Sequence, residues 1–264
     1  MAELPIIPKV SSILIHTGNI VNWNRLKKKL TQRPTEELVE CLGSTLVTWL
    51  QSADRDQIQH ETSVICCNSK FIEKLPSDSR QELKVTVKVC LYKLHAESVK
   101  EVVSHVLCEL GSGHIETVLL SVPEDKRSWS NIQPIWEAME EFVEQEKIFS
   151  LGVSDLNGEQ LQELYSAAKV KPVINQVNMD TCCAPPPELL AFAKENDIQL
   201  LTHNDPADIV PKENLQEVFS QSISEQDGQA WEPCWVVRYS VLMKMRGIVK
   251  TKGYIVKACR NINP

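Results

Sequence analysis

Between Lys147 and Pro206 short apolar runs alternate with amphipathic ones, and the alternation predicts strand, helix, strand, helix, strand. KIFSLGVS is an apolar run closed by polar residues. Leu161, Leu164, Tyr165 and Ala168 follow at the spacing of one helical face. PVINQVN is the second strand, with Lys171 and Pro172 closing the loop before it. Pro185, Pro186 and Pro187 open the next helix, where a missing amide is tolerated because the first N–H groups have no intrahelical acceptor. IQLLTH is the third strand. Successive strand–helix units of this length imply a parallel sheet, since parallel strands need a crossover connection.

The same pattern extends towards the N-terminus. Leu38, Leu42, Thr45, Leu46 and Trp49 make an amphipathic helix with Thr35 as its cap. Val99, Val102, Val103, Val106, Leu107 and Leu110 form a stripe ended by Gly111, a helix-stop signal. Ile132, Ile135, Trp136, Met139, Phe142 and Val143 form another. Such stripes read as core faces before they read as partner surfaces. KVTVKV and ETVLLSVP are further strands. Gln51 to His60 is polar and irregular, and reads as a loop where a second strand should lie; Cys66 and Cys67 read as helical. No linker divides the chain, so one domain spanning residues 1–264 is expected.

Composition narrows the classes. A chain of 264 residues with 42% hydrophobic content suits one barrel, for which about 250 residues is typical. The net charge of −7 argues against general nucleic-acid affinity, which needs a basic face. No apolar run reaches the roughly 18 residues that would span a membrane, and MAELPIIPKV lacks a signal-peptide pattern. A soluble, cytoplasmic protein is expected. Its nine cysteines should then be reduced thiols, and no Cys/His spacing suits a metal. Nine glycines without a G-x-G-x-x-G or P-loop pattern leave no separate phosphate cradle.

GVSD, KVKPVINQVN and IQLLTH, preceded by RQELKVTVKV and ETVLLSVP, resemble successive strands of the aldo-keto reductases. The resemblance implies an α/β fold, a (β/α)8 TIM barrel altered around strand 2. Those enzymes use a Tyr general acid tuned by a Lys–Asp pair, plus a His that polarises the carbonyl. The chemistry needs a phenol acidic enough to donate near neutral pH, which a nearby ammonium supplies. Lys88 falls on the family's lysine. Ser121 stands where the His should be, and Val122 replaces the following Trp. No Asp-Thr-Ala-x-x-Tyr segment lies between Trp49 and Arg80; the tyrosines are Tyr92, Tyr165, Tyr239 and Tyr254. Lys88 is therefore a remnant, and no catalytic residue is assigned. On the cofactor side Ser154 and Gln176 match the family, but Asp155 replaces an Asn and His203 replaces the ring-stacking Tyr. Lys250, Lys252 and Arg260 lack the family's pattern for the 2′-phosphate. The resemblance implies vestigial NADP binding at most.

A longer resemblance covers nearly the whole chain, weakest from Gln51 to Ser79. HTGNIVNW (His16–Trp23), KVKPVINQVN, LLTHNDP and RYSVLMKMRGIVKTKGYI resemble the family of regulatory subunits of glutamate–cysteine ligase. It implies a non-catalytic chain that pairs with a catalytic subunit as a heterodimer. That pairing would improve glutamate use and relieve glutathione feedback in the first step of glutathione biosynthesis. The runner-up is an NADP-dependent reductase with an atypical proton donor; a third reading is a redox-sensing scaffold.

Several residues stay open between structural and functional readings. Cys182 and Cys183 follow strand six, at the mouth where barrel loops carry function. They are either small packed side chains or a redox-sensitive loop at a partner contact. From Arg238 to Pro264 there are seven Lys/Arg and no acid, and Arg25, Lys27, Lys28 and Lys29 form a second basic run. The two runs are either solvated faces of a helix and a strand end or a surface steering towards an acidic partner, with Lys250, Lys252 and Lys257 as its candidate residues. His16 and His203 read as strand-end residues, and Asp205-Pro206 as a turn.

Overall fold

The computed structural model describes residues 7, 9–23, 33–178 and 184–261. Nine strands form one mixed sheet: β1 (Ser12–His16), β2 (Ser63–Cys67), β3 (Leu83–Leu91), β4 (Ile115–Ser121), β5 (Ile148–Ser154), β6 (Ile174–Asn178), β7 (Gln199–His203), β8 (Glu232–Met243) and β9 (Ile248–Cys259). Their order is β2-β1-β9-β8-β3-β4-β5-β6-β7. From β3 to β7 every neighbour is parallel. Each step there crosses through a helix: α3 (Ala96–Leu110), α4 (Trp129–Glu144), α5 (Gly158–Ala167) and α6 (Pro187–Glu195). This is the strand–helix progression that the apolar pattern predicts.

The other end of the sheet differs from consecutive barrel order. β8 and β9 are long, rich in β-branched and aromatic residues, and joined by a turn of only four residues, Lys244 to Gly247. So short a connection makes them antiparallel neighbours. Gly247 takes the left-handed conformation the turn needs, with φ +62°. The hairpin pairs through β8 with β3 and through β9 with β1. It thereby occupies the edge of β3 that strand 2 of a barrel would use. β2 pairs with β1 alone among the described residues, and β1 and β2 run opposite to β3–β7. The alteration expected around strand 2 is an inserted hairpin. The eight-stranded ring is not closed by the described ladders, which run open from β2 to β7.

Because successive strand residues face opposite ways, the middle of the sheet is apolar on both sides. Leu14, Ile255, Val237, Tyr239 and Val89 belong to one core, with α3, α4, α5 and α6. Ile13, Ile15, Tyr254, Val256 and Val236 belong to a second, with α1 (Pro34–Ser52) and α7 (Lys212–Ser222). Two short helices, α2 (Arg55–Ile58) and α8 (Glu225–Gly228), complete the described helical elements of more than three residues.

Three local expectations change. Helix α1 begins at Pro34 with Arg33 as its N-cap, so Thr35 lies inside it; proline's fixed φ suits the first helical position. The helix then runs through Ser52, α2 follows, and strand two lies later than expected, at Ser63–Cys67. Cys66 and Cys67 are on that strand and not on a helix: Val64 and Cys66 are buried while Ser63 and Ile65 are exposed, a period of two. Gly111 ends α3 as expected, at φ +60°. No described helix is long and apolar enough to cross a membrane.

Candidate functional site

The C-terminal ends of β3–β7 gather the residues that the reductase resemblance singles out. Lys88 sits on β3 opposite Arg238 of β8, in register, so both side chains lie on one face. Arg238 stands in the apolar run WVVRYSVL, where a partly buried guanidinium needs a carboxylate. Asp205, two residues beyond β7, supplies it. Lys88 Nζ lies 2.8 Å from Asp205 Oδ2, and Arg238 grips the same carboxylate in a fork at 2.6 and 2.8 Å. Burial alone would raise the Asp205 carboxyl. The Arg238 hydrogen bonds and charge, then Lys88, hold it well below the usual carboxylate range. The Arg238 guanidinium is correspondingly held above its ordinary value, despite its burial, by Asp205.

A second carboxylate stands beside the first. Asp155 follows β5 at φ +60°, a left-handed conformation that Asp tolerates better than most residues. Its oxygens accept from His203 Nε2 at 2.9 Å, Ser154 Oγ at 3.0 Å and the Asn178 N–H at 2.9 Å. Burial pushes its carboxyl up, and these hydrogen bonds, led by His203, bring it below the ordinary range. His203 Nδ1 accepts the Asp205 N–H at 3.1 Å. That contact orients the ring with Nε2 facing Asp155. Lys88 and Arg238 therefore meet on Asp205, and the His203 ring bridges Asp205 to Asp155.

This arrangement does not fit the cofactor or chemistry of a reductase. The cavity bordered by Lys88, Tyr92, Ser121, Asp155, His203 and Asp205 measures about 30 Å3, room for a water or two. Ligand sites run from about 300 Å3 upward. Ser154, one of the two cofactor matches, is buried and occupied with Asp155 and with His203, 3.3 Å away. Gln176, the other, does not border the cavity, and its Oε1 is buried without a hydrogen-bond partner. Lys252 pairs with Glu37 at 2.5 Å, and Arg260 donates to the Val10 and Ile7 carbonyls while lying over the Trp231 ring. Neither is arranged for a 2′-phosphate.

Tyr92 is the one phenol bordering the same cavity as Lys88. Its hydroxyl donates to Asp208 Oδ1 at 2.5 Å. Burial, then Asp208, pushes its pKa up, the reverse of what a proton donor near neutral pH requires. Tyr239 and Tyr254 are buried and likewise raised, with Glu109 and Glu37 beside them. Ser121 borders the cavity in place of the family's His.

Other candidates separate. Lys257 pairs with Glu101 at 2.5 Å, so of the three steering lysines only Lys250 has no ion pair among the described residues. They lie on β9. His16 Nδ1 lies 3.0 Å from Glu109 Oε2 at the other end of the sheet. Cys182 and Cys183, and the run Arg25, Lys27, Lys28 and Lys29, lie outside the described residues. Sequence reasoning missed the central role of Asp205, taken for a turn residue, and missed Arg238. A lone cation within an apolar strand was the available signal, because such a charge is almost never buried unpaired.

Comparison with known proteins agrees with this picture. The profile of the Aldo/keto reductase family matches residues 68–205. The glutamate–cysteine ligase regulatory subunit of Mus musculus is 40% identical over 261 residues, covering 97% of this chain and 95% of that protein. The Homo sapiens regulatory subunit is 39% identical, covering 98% and 97%. Among solved structures, an aldo-keto reductase from a deep-sea metagenome library matches 44% of this chain and 41% of its own at 27% identity, with a TM-score of 0.38. The chain belongs to the aldo/keto reductase family and, within it, to the regulatory subunits of glutamate–cysteine ligase.

Proposed function

We propose that this chain, as one cytoplasmic domain, works by binding the catalytic subunit of glutamate–cysteine ligase and performs no reductase chemistry of its own. The observation that carries the second half is the missing proton donor: Tyr92, the one phenol bordering the Lys88 cavity, has its pKa pushed up by burial and Asp208, and Ser121 stands where the family has its His. A lysine held by a buried carboxylate and lacking a tuned phenol is a structural residue. The protein's effect is then thermodynamic. A partner shifts an equilibrium only by binding its two states unequally, so the subunit favours a state of the catalytic subunit with higher glutamate affinity and lower glutathione affinity.

Linkage supplies the test, because coupling between ligands is reciprocal. Glutamate should tighten the heterodimer by the same factor by which the heterodimer tightens glutamate, and glutathione should loosen it. Isothermal titration of one subunit into the other, with and without glutamate, reads both. Identical subunit affinity with and without saturating glutamate contradicts the reading.

A further inference from the structure

The β8–β9 hairpin ends in a tip whose apolar side chains are largely exposed. Met245 is 91% exposed, Ile248 54% and Val249 42%. Scattered exposed apolar residues need no explanation. Here three of the eight exposed large hydrophobics among the described residues fall within five consecutive positions. Charge is sorted in the same way. Along the basic C-terminal segment, Arg238, Lys252 and Lys257 are paired with Asp205, Glu37 and Glu101. Lys244, Arg246 and Lys250, at the tip, have no carboxylate partner among the described residues. A chain of net charge −7 thus carries, at one hairpin tip, both exposed apolar and unpaired cationic side chains.

The tip is also held in place. Met243 pairs with Ile248 across the stem and with Leu83 of β3 on the other side. The Gly247 N–H donates to the Met243 carbonyl at 2.8 Å, and the Lys244 N–H to the Glu82 carbonyl at 2.8 Å. Lys244 Nζ reaches the Gln81 carbonyl at 2.8 Å. Ordering a floppy loop would cost binding free energy; a tied turn has met that cost on folding. Methionine at the apex adapts to an irregular apolar pocket.

We infer that the hairpin tip is the docking element for the glutamate–cysteine ligase catalytic subunit, entering an apolar depression bordered by carboxylates. This rests on the regulatory reading above and locates its contact. The apolar side chains hold the complex, and the three cations steer and register it, since exposed charges act mainly on association rate.

The test measures association of the full chain with the catalytic subunit by surface-immobilised kinetics. It compares wild type, the triple variant Met245→Ser/Ile248→Ser/Val249→Thr, the single variant Arg246→Glu, and a control, Val47→Ser, at an exposed position of α1. The triple variant should weaken binding at least tenfold, mainly through faster dissociation. Arg246→Glu should slow association severalfold at low salt, with the difference fading at high salt. Val47→Ser should bind as wild type. Circular dichroism and the melting midpoint should match for all four; if the triple variant alone melts early, Arg246→Glu decides. Tip variants binding within twofold of wild type, while wild type binds, would place the contact elsewhere and leave the regulatory reading standing. Loss of self-association instead of heterodimer formation would make a second copy the occupant and overturn the inference. If wild type itself does not bind, the regulatory reading fails and this inference with it.

Discussion

Asp205 is where the inherited chemistry of the fold was turned into structure. Its carboxylate, 7% exposed, faces Lys88 and Arg238, and its backbone N–H orients the His203 ring. Removing one member of a buried charge cluster leaves the others desolvated and unpaired, which costs about 3–5 kcal/mol. Asp205→Asn should lower unfolding free energy at pH 7 by that amount. The pH dependence follows from the depressed carboxyl. A folded-state pKa below the unfolded value of about 3.9 gives stability that is present above about pH 4. That stability is lost as pH falls through the folded value. Urea titrations from pH 7 downwards should show wild type losing stability steeply below about pH 4 and Asp205→Asn losing less. Equal acid slopes would mean that the pairing contributes nothing. At this scale the sequence was half legible. Lys88, Ser121, Asp155 and His203 stood out against the reductase pattern, but Asp205 looked like half of a turn, because its partners are 117 and 33 residues away.

The β8–β9 hairpin is the element that sets this molecule apart from consecutive barrel order. It bridges two parallel blocks that run in opposite directions, and its stem is covered by core on both faces. That double burial explains why periodicity missed it. A strand buried on both sides carries no alternation, and apolar runs interrupted by lysines look like a helix face or a strand end. By contrast α3, α4 and α5 each bury one stripe, and their extents could be read directly. The hairpin's seat depends on Gly253. A Cβ there would lie 2.3 Å from both the Gly18 carbonyl oxygen and the Tyr239 hydroxyl. Gly253→Ala should therefore destabilise by about 1–3 kcal/mol, as overpacking does. Gly113→Ala, with nothing within 4 Å of its Cβ, should stay within about 0.5 kcal/mol of wild type. Parallel urea curves give both values; equal midpoints would show that the Gly18 loop yields freely.

For the whole molecule, a closed reductase centre and a protruding apolar, cationic hairpin tip describe a protein whose work lies at its surface. The α/β class and the family were readable from strand order and segment likeness, because β3–β7 keep the family's succession. The contact surface was not readable, because whether a lysine is free or internally paired depends on carboxylates such as Glu37 and Glu101, more than 150 residues away in sequence. The central claim is that this chain acts through a partner. It is tested most directly by titrating the full chain into the glutamate–cysteine ligase catalytic subunit and following initial rate at low glutamate with glutathione present. The account predicts a saturable rise in rate whose midpoint matches the physical subunit affinity. An unchanged rate with the two subunits demonstrably bound, or no association at all, would contradict it.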